Sequence, residues 1–196
     1  MRRGIAILVV GMPGSGKSVF SEAARELGIP VVSMGDVVRL EAVKRGLSQD
    51  AKTIAQLAKT LREEGGACAV AKLTLERTPP APVVVIDGVR SLDEVEFFRR
   101  AFEKVLVLAI HSSPRTRFTR LMARCREDDP KRWEEFVERD RRELAMGVGE
   151  VIALSDYVLA NEGLSREEFL RLCKEWLNRV LTELRARTPN PGEGSQ

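Results

Sequence analysis

Histidine occurs once in the 196 residues and cysteine three times. Cys68, Cys125 and Cys173 are odd in number, scattered, and show no metal-ligand spacing, so they read as packing residues on helix faces. The lone His111 stands where an apolar strand ends, which fits a strand-end hydrogen bond better than a catalytic base. A strong net charge is missing too: charged residues are abundant, but 32 basic against 29 acidic leave a net charge of +3, too little to argue for nucleic acid. No apolar run reaches eighteen residues, and "MRRGIAILVV" leads at once into a glycine-rich loop without a small-residue cleavage site. Neither a membrane span nor a signal peptide is expected, and the chain reads as a soluble, cytoplasmic protein.

What the sequence does contain is "VVGMPGSGKSVF". Gly11, Gly16, Lys17 and Ser18 satisfy G-x-x-x-x-G-K-[ST], the phosphate-loop pattern, directly after the apolar run "IAILVV". Glycines let backbone N–H groups curl around phosphate oxygens, and the helix opening near Lys17 aims its positive end at the same place. Gly11, Met12, Pro13, Gly14, Ser15, Gly16, Lys17, Ser18 and Val19 are therefore the candidate nucleotide-binding segment. Lys17 supplies charge to the β- and γ-phosphates, and the Ser18 hydroxyl is a candidate Mg²⁺ ligand. The competing reading is a strand-to-helix turn without a ligand. No N-K-x-D segment occurs, which speaks against a GTPase.

Short β-branched runs alternate with longer amphipathic stretches, the pattern of βαβ units. Strands are expected near 4–10, 30–33, 82–87, 104–110 and 156–160. Helices are expected near 17–27, 36–46, 50–77 with a break at Gly65-Gly66, 92–101, 114–127, 131–146 and 165–186. The fold class is thus α/β, a doubly wound five-stranded parallel sheet of the P-loop NTPase kind with ligands beyond the carboxyl ends of the strands. One domain over 1–187 is expected, and the Pro-, Gly- and Ser-containing residues 188–196 read as a disordered tail.

Strand three ends in "PVVVIDGVRS", which makes Asp87 a candidate for holding Mg²⁺; a helix cap is the alternative, although Ser91 is better placed for it. Strand two ends in "VVSMGDVVR". A helix starting at Asp36 puts Asp36 and Arg39 on one face, and strands one and two are expected on the same part of the sheet. Arg39 and Arg90, from two strand ends, then form a candidate clamp for the acceptor, and the helices over 36–77 are the candidate acceptor-binding segment. Farther on, Arg120, Arg124, Arg126 and Arg139 lie in a charge-dense pair of helices over 112–146, interrupted at Pro130. The functional reading is a lid that excludes water and brings arginines to the transferred phosphoryl group. The competing reading is a set of surface ion pairs with Glu127, Asp128 and Asp129.

"GMPGSGKS", "SMGDVVR", "DGVR", "RLMAR" and "REDD" followed by Arg139 resemble, in that order, the motifs of adenylate kinase and related nucleoside monophosphate kinases. The whole chain is similar to an archaeal group of uncharacterised P-loop proteins related to these kinases. The resemblance implies that Lys17 neutralises phosphate charge, Arg39 and Arg90 hold the acceptor's phosphate, and Asp87 supports magnesium. It implies Arg120 beside the adenine of ATP, with Arg124, Arg126 and Arg139 facing the transferred group. Met34 replaces a hydroxyl residue of those kinases and "DGVR" a fuller "DGFPR", so AMP as acceptor does not follow. "LGIPVV", "RLMAR" and "SDYVLANEGLSREEF" are instead similar to dephospho-coenzyme A kinase, which needs a base for a ribose hydroxyl; Asp36 is the nearby candidate.

The expectation is a Mg²⁺- and ATP-dependent phosphotransferase acting on a small nucleotide or nucleotide-like acceptor, leaning toward a phosphate acceptor. Transfer to a ribose hydroxyl is the first alternative. An ATP-hydrolysing regulatory or nucleic-acid-processing factor is the second. Oligomeric state is not legible.

Overall fold

The computed structural model describes residues 2–124 and 129–186, apart from the side chains of residues 51, 185 and 186. Along the chain run β1 (Arg3–Val10), α1 (Lys17–Glu26), β2 (Val31–Ser33), α2 (Met34–Lys44), α3 (Ala51–Gly65), α4 (Ala69–Arg77), β3 (Val83–Asp87) and α5 (Leu92–Ala101). There follow β4 (Phe102–His111), α6 (Pro114–Arg124), α7 (Trp133–Ala145), α8 (Val148–Ala153), β5 (Tyr157–Ala160) and α9 (Arg166–Ala186). The five strands form one parallel sheet in the order β2-β3-β1-β4-β5.

β1 is the centre of the sheet because its residues are apolar on both faces, as a strand covered from both sides requires. Ala6, Leu8 and Val10 face one core with Met34, Val38, Val70, Phe98 and Val151, beneath the helices between β2 and β3, α5 and α8. Ile7 and Val9 face the other, with Phe20 of α1 and Phe169, Trp176 and Leu177 of α9. Each large side chain so buried contributes about 1.5–3 kcal/mol. Cys173 lies in this second core, and burial pushes its thiol up to about 12. That agrees with a packing role.

β3 lies between β1 and β2, so strands one and two are not neighbours and β2 is an edge strand. The helix after β2 begins at Met34 and not at Asp36, because the Ser33 hydroxyl accepts the Asp36 N–H at 3.2 Å and caps it. Ser91 caps α5 in the same way, accepting from the Glu94 N–H at 3.3 Å, which releases Asp87 from that role. The short α8 falls inside a stretch where the sequence pattern predicts no separate helix; its cap is Gly147, whose φ of 98° turns the chain out of α7. His111 ends β4 with its side chain exposed, and the hydrogen bond at this strand end comes from its backbone carbonyl, which accepts the Asn161 N–H at 2.7 Å. No described helix is long and apolar enough to cross a membrane.

Candidate functional site

The carboxyl ends of β1, β3 and β4 open on the loop from Gly11 to Gly16, which delivers Lys17, Ser18 and Val19 into the first turn of α1. Gly16 takes φ 110°, and a Cβ there would stand 2.3 Å from the Asn161 side-chain nitrogen. Gly14 takes φ 81°, and a Cβ there would meet the Arg117 carbonyl at 2.8 Å. The loop is therefore wound against α6 on one side and against the turn after β5 on the other. Met12 accepts the Ser15 N–H at 3.1 Å, closing it.

Lys17 turns its ammonium back into this loop, donating to the carbonyls of Gly11 at 2.6 Å and Met12 at 3.3 Å. Burial lowers its pKa, opposed by Asp87 and Glu143 and reinforced by Arg90 and Arg139. These five groups, drawn from α1, the end of β3, the following loop and α7, make up the electrostatic centre of the site. Asp87 is raised by its own burial against the pull of Lys17 and Arg90. Its Oδ1 is buried without a hydrogen-bond partner among the described residues. A buried carboxylate oxygen left unpaired is costly, and a divalent cation satisfies it, so Asp87 with the exposed Ser18 hydroxyl fits a magnesium ion.

Arg90 is half-buried at the same end of the sheet. Its backbone N–H is held by the fully buried Glu94 at 2.8 Å, and Glu94 also receives Arg62 of α3 at 2.9 Å. The Arg90 Nε donates to Glu143 of α7 at 2.9 Å. Burial works against its charge, but Glu143 and Glu94 together raise its pKa. Burial likewise works to raise Glu143; Arg90, Lys17 and Arg139 outweigh it and hold this carboxyl below its ordinary value.

Asp36 and Arg39 pair with each other at 2.9 Å on the first turns of α2, both exposed. They follow the edge strand β2, whose Ser33 is paired in register with Asp87, and the Asp36 carboxylate adds to the rise of Asp87. Arg120 donates to the Ser112 hydroxyl at 2.9 Å and to the backbone and side-chain oxygens of Asn161 at 3.0 and 3.1 Å. Burial lowers its pKa, offset in part by Glu162. Asn161 in turn donates to the Ser15 carbonyl at 2.9 Å, which ties the turn after β5 to the phosphate loop. Arg124 and Arg139 converge on the buried Asp129, with Arg124 Nε at 2.9 Å and Arg139 at 3.4 Å. Arg126 and Cys125 lie outside the described residues, as do residues 188–196.

Several residues that build the site carried no role in the sequence reading: Glu143, Arg117, Asp140 and Asn161. The signal for Glu143 was present. Phe136, Arg139, Asp140 and Glu143 recur at helical spacing and define the inward stripe of α7, with Phe136 buried. Arg117 alone among the arginines of α6 is buried, and it bonds the Pro13 carbonyl at 3.2 Å and Asp140 at 2.8 Å.

The profile of a family described as an AAA domain matches residues 10–137. A UPF0200 protein of Thermococcus gammatolerans is 48% identical over 184 residues, 91% of this chain and 96% of the relative. The chain belongs to the UPF0200 family. A member from Hyperthermus butylicus is 51% identical over 178 residues, covering 90% of this chain and 95% of its own. Among solved structures, shikimate kinase from Bacteroides thetaiotaomicron superposes with a TM-score of 0.63 at 18% identity, covering 91% of this chain and 98% of that one. A gluconokinase from Sinorhizobium meliloti gives 0.56 at 18% identity, covering 96% and 99%. This UPF0200 chain thus has the all-parallel P-loop kinase fold, and at such identities the likeness concerns the fold alone.

Proposed function

We propose that this protein is a Mg²⁺- and ATP-dependent phosphotransferase acting on a small nucleotide or nucleotide-like acceptor. The observation that carries the reading is that one electrostatic cluster holds both Lys17, folded into its own loop, and Asp87, whose buried Oδ1 has no protein partner among the described residues. A glycine-rich turn built only for the fold has no need of either.

In this reading the loop from Gly11 to Val19 cradles the phosphates of ATP, and Lys17 exchanges its two carbonyl partners for phosphate oxygens. Ser18 and Asp87 are the residues that would hold magnesium, which would supply charge screening for those phosphates. Arg120 and Asn161 border the adenine side, and Arg124, Arg126 and Arg139 serve the transferred group. Arg90, with Asp36 and Arg39 of α2, receives the acceptor. The helices over 36–77 and 112–146 then act as acceptor-binding segment and lid, and the supply of ATP suits a cytoplasmic reaction.

The test is a screen of nucleosides, nucleoside monophosphates, dephospho-coenzyme A and small polyols with Mg·ATP, following ADP. Acceptor-dependent ADP is the expected result. ATP hydrolysis that no small acceptor accelerates, and that a macromolecule does, would replace this reading with that of an ATP-driven regulatory factor.

A further inference from the structure

We infer that Glu143 selects the acceptor: the group phosphorylated is a hydroxyl and not a phosphate, and Glu143 receives the hydroxyl proton. The inference deepens the phosphotransfer reading and rests on it. Arg90 is the cation best placed for an acceptor, being half-buried at the strand ends beside Lys17 and Asp87. Its Nε edge is already taken by Glu143 at 2.9 Å. A phosphate bound at Arg90 would add negative charge beside this carboxylate. Like unit charges about 5 Å apart in a partly buried site weaken binding by roughly a hundredfold. A neutral hydroxyl meets no such repulsion.

The same carboxylate is equipped for the proton. Only Oε2 of Glu143 is engaged, and Oε1 makes no hydrogen bond to a described residue. Burial works against its charge, but Arg90, Lys17 and Arg139 keep it ionised, so Oε1 can accept the hydroxyl hydrogen; as a weak base it takes the proton late, once the bond to phosphorus is largely formed. Three other carboxylates at this end of the sheet have different employment: Asp87 acts electrostatically on Lys17 and has the features of a magnesium ligand, Glu94 is closed by Arg62 and the Arg90 N–H, and Asp36 is exposed and paired to Arg39. In the step itself a lone pair of the acceptor oxygen forms the new bond to the γ-phosphorus of ATP. The bond from that phosphorus to the β,γ-bridging oxygen breaks with its electrons on ADP, and the hydroxyl proton passes to Glu143 Oε1 and on to solvent.

The experiment compares the full-length wild type with Glu143→Gln and Glu143→Asp. Products of the acceptor screen are read by ³¹P NMR, which separates a phosphomonoester, formed on a hydroxyl, from a phosphoanhydride, formed on a phosphate. The wild type is expected to give the monoester. Glu143→Gln is expected to lose about a hundredfold or more in kcat while still binding ATP, and Glu143→Asp to recover part of it. Inorganic phosphate, titrated calorimetrically onto the complex with a non-hydrolysable ATP analogue, is expected to bind Glu143→Gln at least about tenfold more tightly than wild type. An anhydride product, a Glu143→Gln enzyme with undiminished kcat, or equal phosphate affinity overturns the assignment while leaving phosphotransfer standing. Absence of transfer to every acceptor overturns the phosphotransfer reading itself, and the phosphate titration then still reports whether Glu143 repels anions from Arg90.

Discussion

Arg117 grips both carboxylate oxygens of Asp140 and, with the same guanidinium, donates to the Pro13 carbonyl of the phosphate loop. The arginine is 4% exposed and stacks over the Phe136 ring at 4.9 Å, so the pair is a buried one that fixes α7 against the loop. Removing one partner of such a pair leaves the other charge uncompensated. Arg117→Ala should lose about 3–5 kcal/mol, read from urea midpoints, and weaken ATP binding through the slackened loop. Asp140→Asn keeps an acceptor oxygen and should lose less. Unchanged ATP affinity in a folded Arg117→Ala protein would separate α7 from the nucleotide site.

Lys17→Ala should leave the thermal midpoint within a few degrees of wild type, since the lysine bonds only two carbonyls of its own loop. Phosphoryl transfer should fall to background and ATP binding should weaken, because no other side chain delivers a cation from within the loop. Normal turnover by the folded variant would end the phosphate-loop assignment.

Much of this molecule is legible in its sequence, and the reasons are local. Apolar β-branched runs and the turn at Gly65-Gly66 gave all five strands and the break between α3 and α4, because periodicity and glycine act over a few residues. Strand order is not a local property, and β3 inserts itself between β1 and β2. The phosphate loop announces itself by spacing. Glu143 does not, since its partner Arg90 is 53 residues away and only the folded chain brings them to 2.9 Å. The leaning toward a phosphate acceptor follows from the lack of a clean base after β2, where Asp36 is the nearby carboxylate in the sequence; Glu143 joins the site only through the folded chain.

Asp36→Asn tests whether the edge of the sheet takes part in chemistry. Its carboxylate is exposed and pairs with an exposed Arg39, a contact worth about 0–1 kcal/mol in stability. As one positioning contact it should cost roughly tenfold in kcat/KM on the acceptor found by the screen. A loss beyond about a hundredfold would make Asp36 the proton acceptor in place of Glu143.

The dependence of stability on pH gives a separate check on Glu143, because it needs no substrate. Burial by itself would raise this carboxyl; Arg90 at 2.9 Å, Lys17 and Arg139 reverse the effect and hold it below the ordinary 4.5, with Asp87 the anion across the same cluster. A carboxyl lowered in the folded state binds protons less readily there than in the unfolded chain. Its contribution is therefore fully present above pH 4.5 and is lost as the pH falls through the lower folded value. Glu143→Gln should accordingly be less stable than wild type at pH 7, by roughly 1–3 kcal/mol as for a charge-assisted hydrogen bond, and the gap should close as the pH drops below 4.5. Urea midpoints for both proteins between pH 3 and pH 7 measure it. If burial outweighed the cations, the sign would invert and Glu143→Gln would be the more stable protein at pH 7, which would remove the electrostatic basis for an ionised carboxylate beside Arg90.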